Sequence, residues 1–174
     1  MRTLADTDSM PGLADLIAER QRMGLDGHDE MWEGVYHLAP VARAGHGDVQ
    51  GQLQVVLASL APADLVVSGP VNIGLGEQDH RVPDVVVLRA RTDVIWVPSA
   101  AMVVEVRSPG DETYEEFAFY HARGVEEILV ADLADRELRL FARGAMEFTS
   151  VEASAVLGAD LARIAQGISW PGSQ

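Results

Sequence analysis

Two acids stand inside valine runs: Asp84 in "VPDVVVL" (82–88) and Glu105 in "VVEVRSPGDE" (103–112). A buried strand tolerates a carboxylate only when it is paired or hydrogen-bonded, so placing two of them this way calls for a reason. Side chains alternate along a strand, which puts Glu105 and Arg107 on one face and Val104 and Val106 on the other. Asp84 follows Pro83, whose missing N–H suits a bend or a strand edge. If the two strands are neighbours, the acids converge and repel unless a cation lies between them. A few hard oxygen ligands are what Mg2+ or Mn2+ takes, and such an ion activates water and neutralises charge building on a phosphodiester. The competing reading is that each acid caps a loop or pairs with Arg81, Arg89 or Arg107.

The rest of the chain sets bounds on that chemistry. At 174 residues it is the size of one domain, and 48% hydrophobic with 23% charged residues is the balance of a globular protein. Thirteen basic residues stand against 27 acidic ones, a net charge of −14, and every basic residue is Arg. Without lysine, Schiff-base and Walker-type mechanisms are excluded; without cysteine, so are thiolate catalysis, disulfides and Cys-ligated metals. The acidic balance disfavours nonspecific nucleic-acid binding unless arginines cluster locally. No segment has the roughly 20 apolar residues of a membrane span, and "MRTLADTDSMPG" has no signal-type stretch, so a cytoplasmic location is expected.

Positioning the two acids falls to a series of short elements. Leu13, Leu16 and Ile17 predict an amphipathic helix over 12–25, and 28–40 alternates toward a strand stopped by Pro40. Val49, Leu53, Val56, Leu57 and Leu60 form one stripe of a helix over 47–60. Strands are predicted at 64–75, 81–89, 99–107, 126–133, 136–143 and 146–152. Helices are predicted at 113–124 and 159–166. Thr113 with Glu116 makes a capping-box pattern and Gly124 suits a left-handed C-cap. The order predicts an α/β (α+β) fold, a central mixed β-sheet flanked by helices, with 113–124 crossing between parallel strands. It is read as one domain over 1–174: an N-terminal helical extension at 1–27, a core at 28–143, and an edge strand with a helix at 144–174.

The run "EGVYHLAP", "HGDVQGQL", "RVPDVVVL", "MVVEVRSPGDETYEEFAFYHARGVEEILVAD" and "RELRLF" resembles the Uma-two family of restriction endonucleases, within the PD-(D/E)XK nuclease-like superfamily. The likeness spans about 28–143. It implies a restriction-endonuclease-like core, Mg2+ (or Mn2+) held by an Asp and a Glu, and hydrolysis of DNA phosphodiesters. Asp84 takes the PD position and Glu105 the acidic position of the (D/E)XK element. The family's lysine falls two residues after the Glu or on the next helix, four residues before an aromatic that corresponds to Tyr120. Those places hold Arg107 and Glu116.

The catalytic candidates are therefore Asp84, Glu105 and Arg107, with Asp84 and Glu105 as metal ligands. Arg keeps the charge of a lysine and changes its geometry. The resemblance adds Glu33 as a further metal-shell carboxylate, with a solvated strand-end role as the alternative, and His46 as a substrate contact, with an exposed helix-start role as the alternative; Gln50, one turn on, faces the same side. Glu116 is read first as the capping partner of Thr113 and second as an extra ligand. His28, His37, His80 and His121 lack metal-ligand spacing, and Phe117, Phe119 and Tyr120 are read as packing. Two functions stay open, a metal-dependent endonuclease and a noncleaving nuclease-fold module for binding or assembly, with hydrolysis of a small phosphorylated metabolite as a third. A homodimer is expected because paired sites match two DNA strands.

Overall fold

A computed structural model describes residues 2–6, 12–39 and 41–172. In chain order the elements are β1 (Arg2–Asp6), α1 (Leu13–Met23), β2 (Glu30–Trp32), β3 (Val35–Leu38), α2 (Ala44–Leu60), β4 (Val66–Ser68), β5 (Asn72–Gly74), β6 (His80–Arg81) and β7 (Val85–Leu88). Then come β8 (Trp96–Val97), β9 (Met102–Arg107), a 3₁₀ turn (Thr113–Glu116), α3 (Phe117–Ala122), β10 (Glu127–Asp132) and β11 (Glu137–Arg143). The chain closes with β12 (Phe148–Val151), β13 (Ala153–Ser154), β14 (Ala159–Asp160) and α4 (Leu161–Ala165). The expected stop at Pro40 lies outside the described residues.

The strands divide between two six-stranded sheets, ordered β1-β3-β2-β6-β5-β8 and β12-β11-β10-β9-β7-β4. The chain passes from one sheet to the other at Pro70 between β4 and β5, at Pro83 between β6 and β7, and at Pro98 between β8 and β9. Proline donates no N–H to a ladder, so each of these residues ends one set of strand pairings and frees the chain to begin another. Runs that read as single strands at 64–75 and 81–89 are therefore each cut in two.

The second sheet is mixed: β9 runs antiparallel to β7 and parallel to β10, with the 3₁₀ turn and α3 forming the crossover. Strand alternation on β9 sends Met102, Val104 and Val106 into one apolar cluster with Val49, Leu53 and Leu57 of α2. Val103 faces the other, with Tyr120, Val86, Ile128 and Val130. Each of these buried aliphatic chains contributes about 1.5–3 kcal/mol by leaving water, so the two clusters fix where α2 and α3 sit over the sheet.

Helix ends are set locally. Pro62 forces Ala61 into an extended conformation (ψ 133°), which stops α2. Gly124, at φ +78°, closes α3 as expected, its N–H donating to His121 O and that of Val125 to Tyr120 O, both at 3.1 Å. Across α2, Gln52 exchanges two hydrogen bonds with the Ser169 backbone, at 3.0 and 2.6 Å, tying the C-terminal segment to this helix.

Candidate functional site

Register brings the two acids together. Val85 pairs with Val104 across antiparallel β7 and β9, so Asp84, at the bend before β7, comes alongside Glu105. Asp84 Oδ2 accepts from the Val106 N–H at 2.8 Å, which anchors the carboxylate to the strand that carries Glu105. Two α2 side chains hold it from the other side. His46 Nε2 shares a 2.9 Å hydrogen bond with Asp84 Oδ1, and Gln50 Nε2 donates to Asp84 O at 2.8 Å. Spaced by four, His46 and Gln50 share one helix face, so both reach the same residue. The Asp84 bond raises the His46 pKa above its ordinary value against the opposing effect of burial.

Glu105 is 9% exposed, and its Oε1 accepts from the Tyr120 hydroxyl at 2.7 Å. The same hydroxyl lies 3.0 Å from Glu116 Oε2, and Glu116 is 4% exposed. Glu116 is thus a buried member of the carboxylate group rather than a helix cap: the 3₁₀ turn has no side-chain cap bond, and the carboxylate meets Tyr120 one helical turn on. Tyr120, expected only to pack, also carries the hydroxyl that links the two acids.

A further carboxylate joins them. Glu30 on β2 is 2% exposed, and accepts from Val82 N–H at 2.7 Å and Trp32 Nε1–H at 2.6 Å. Burial pushes its pKa up to about 7 against these two hydrogen bonds. Burial first, then the charge of Asp84, holds Glu105 well above the ordinary carboxylate range; burial, then Glu30 and Glu105, does the same to Glu116. Such mutual repulsion among buried acids is the electrostatic signature of a place that favours a cation or a proton.

Glu33 is not brought to this group. It sits exposed at the tip of the β2–β3 hairpin, where Glu33 and Gly34 have φ of +50° and +88°, the geometry of a tight two-residue turn. Glu30, three residues earlier, is the acid that faces inward. The "EG" pair was the signal that could have found it, since a turn there fixes which β2 residues share the inner face.

Arg107 is directed to its cross-strand neighbour. Its Nη1 donates to the buried Asp132 at 2.5 Å, in register on parallel β10, and its guanidinium lies 5.5 Å from the centre of the Tyr114 ring. Among the described residues, no group of three or more His, Cys, Asp or Glu side chains is arranged to hold a metal ion.

Mixed sheets flanked by helices, with paired acids at adjacent strand ends, define a nuclease-like α+β fold. The fold matches a crystal structure described as "a putative nuclease belonging to DUF820" from Anabaena variabilis ATCC 29413, with a TM-score of 0.65 and 13% identity over 80% of this chain and 90% of that one. The chain belongs to the Uma2 family, described as "Putative restriction endonuclease", whose model matches residues 18–167. No curated protein matches it. No helix among the described residues is long and apolar enough to cross a membrane.

Proposed function

We propose that the protein is a metal-dependent nuclease that hydrolyses DNA phosphodiesters at Asp84 and Glu105. The observation that carries this reading is the convergence of those two carboxylates, one anchored by His46 and the Val106 N–H, the other by Tyr120. Every carboxylate oxygen has two lone pairs, so these single hydrogen bonds leave room for a cation. A pair of carboxylates with few other protein donors suits Mg2+ or Mn2+, which keep several waters, better than an ion that needs a closed protein cage. When bound, the ion would supply an activated water and charge neutralisation at the phosphate.

The chain's own residues do the positioning. His46 and Gln50 fix Asp84 from α2, and Tyr120 fixes the Glu105 carboxylate. Arg107, held by Asp132, contributes positive field along the strand rather than a direct grip on substrate. Family membership supports DNA as the substrate. Hydrolysis of plasmid, linear or single-stranded DNA in Mg2+ or Mn2+, abolished by Asp84→Ala and by Glu105→Ala, is the expected result. Failure to cleave any of these with either ion would overturn it.

One observation favours the alternative, a nuclease-fold module that binds without cleaving. The helix position four before Tyr120 carries Glu116, an added buried acid where a cation would help. Mn2+ binding without turnover is what that alternative predicts.

A further inference from the structure

Arg81 is a buried arginine, 5% exposed, and it lies between β2, which carries Glu30, and α3, which follows Glu116. Its guanidinium carbon sits 4.4 Å from the centre of the Trp32 ring on β2 and 4.2 Å from that of Phe119 on α3. Nη1 donates to Met31 O at 2.9 Å, to His80 O at 3.1 Å and to Asp79 Oδ1 at 3.2 Å, while Nε is buried with no hydrogen-bond partner. On one side of this sandwich, Trp32 donates to Glu30. On the other, Phe119 packs edge-on against Tyr120, the residue that joins Glu105 to Glu116.

We propose that Arg81 is a positioning residue of the site, supplying to its carboxylates a fixed positive charge from the interior of a chain that has no lysine. A guanidinium suits this place because it stacks flat on aromatic faces and stays protonated when buried, which an ammonium does less readily. It does not touch substrate. Its charge favours the ionised forms of Glu30 and Glu116, opposing the burial that drives both toward neutrality. The ionisable groups around it are Glu30 on β2, His37 on β3, Asp79 and His80 on the β6 side, and Glu116 and Arg123 around Phe119. Asp111 also acts on Glu30, in the opposite sense. Of these, Glu30 is the reporter of choice, because it titrates near neutrality.

The test is the Glu30 carboxyl titration, followed by carbon NMR, together with stability against pH, in wild type, Arg81→Met, Arg81→Gln and Arg81→Lys. Loss of the charge in Met or Gln should move the Glu30 midpoint upward by about one unit, a tenfold change in its ionisation ratio. The destabilisation caused by either substitution should widen as pH rises through neutrality, and Arg81→Lys should restore the pH dependence even where it fails to restore the stacking. A Glu30 midpoint unmoved in both neutral variants, or an equal loss of stability at every pH, including failure to fold at any pH, would overturn the proposal and leave Arg81 a packing residue. The inference rests on the nuclease reading only for its use. Calorimetry with Mn2+ on the wild type separates the two, since absence of binding sinks the metal site while the Glu30 titration still decides the role of Arg81.

Discussion

His46 Nε2 and Asp84 Oδ1 lie 2.9 Å apart, while the other oxygen of the same carboxylate accepts from the Val106 N–H. Helix α2 and strand β9 therefore grip one side chain from two directions, and the α2 grip depends on a single imidazole. Partners that orient a metal-binding carboxylate typically change affinity by about ten- to a hundredfold when removed. His46→Ala is expected to weaken Mn2+ binding by about tenfold or more in calorimetry and to lower stability by about 1–2 kcal/mol in urea unfolding. His46→Gln, which can still donate, should recover part of the affinity. Unchanged Mn2+ affinity in His46→Ala would count against Asp84 as a ligand.

Glu105 sits in a position that folding resists and that the proposed chemistry would use. Its carboxyl is buried beside Asp84, so ionising it is unfavourable, whereas an amide of the same shape carries no charge and still accepts from Tyr120. Glu105→Gln is expected to raise the unfolding free energy by about 1–2 kcal/mol while abolishing cleavage and Mn2+ binding. Tyr120→Phe should do the reverse to stability, lowering it by about 1–3 kcal/mol, because a buried carboxylate loses its donor. Urea titrations of the two variants beside wild type check both signs.

The approach of Asp84 to Glu105 was legible only on the condition that their strands are neighbours, since strand alternation and Pro83 are local facts and the pairing is not, whereas the stripe of Val49, Leu53 and Leu57 that seats α2 could be read directly. The division into two sheets was not. Residues 64–75 show one continuous apolar rhythm, and nothing in it says that Val66 pairs with Leu88 while Ile73 pairs with Arg81. Pro70, Pro83 and Pro98 marked the crossing points, but a proline that ends a ladder does not name the next partner. At the site, Glu30 escaped notice because its burial depends on a hairpin turn at Glu33 and Gly34. Glu116 was misread because Thr-x-x-Glu satisfies a capping pattern that Tyr120 overrides through tertiary contact.

Stability should fall as pH rises through neutrality. Glu30, Glu105 and Glu116 have folded pKa values raised from 4.5, Glu30 to about 7, so the folded state holds protons that the unfolded chain has released. Their contribution is present below the unfolded value and is lost as pH rises through the folded one. His46, raised from 6.5, adds to the same trend, its contribution lost as pH rises through its folded value. His37 and His80, whose pKa values burial lowers from 6.5, oppose this trend, their destabilising effect growing as pH falls below 6.5, and Asp132 runs the other way at the acid end. Burial opposes its charge, but hydrogen bonds from Asp135, Arg107 and Ala134 outweigh it and depress the pKa from 3.8, so its contribution disappears as pH falls through that lower value. Maximum stability is thus expected in mildly acidic solution, with Glu30 alone accounting for a loss of the order of 3 kcal/mol toward alkaline pH. Urea unfolding across that range checks the slope, and millimolar Mg2+ should flatten its alkaline limb if the acids bind the ion.

Arg107 provides the sharpest separation between the catalytic and structural readings of the strand. It stands two residues beyond Glu105 on the same face of β9, yet its guanidinium is bonded to Asp132 in cross-strand register. A group that gripped the scissile phosphate would reduce turnover by about a hundredfold or more when removed, as loss of a transition-state donor does. A group spent on an ion pair with a buried acid costs stability instead, here about 1–3 kcal/mol, because the Ala134 and Asp135 N–H groups still hold Asp132 when the guanidinium is gone. Arg107→Ala is expected to lower stability by that order and to reduce cleavage by about tenfold or less, with the stability loss substantially offset in Arg107→Ala/Asp132→Asn. Steady-state cleavage assays and urea unfolding on the two variants decide it. A hundredfold loss of turnover that persists in the stabilised double variant would return Arg107 to the reacting phosphate.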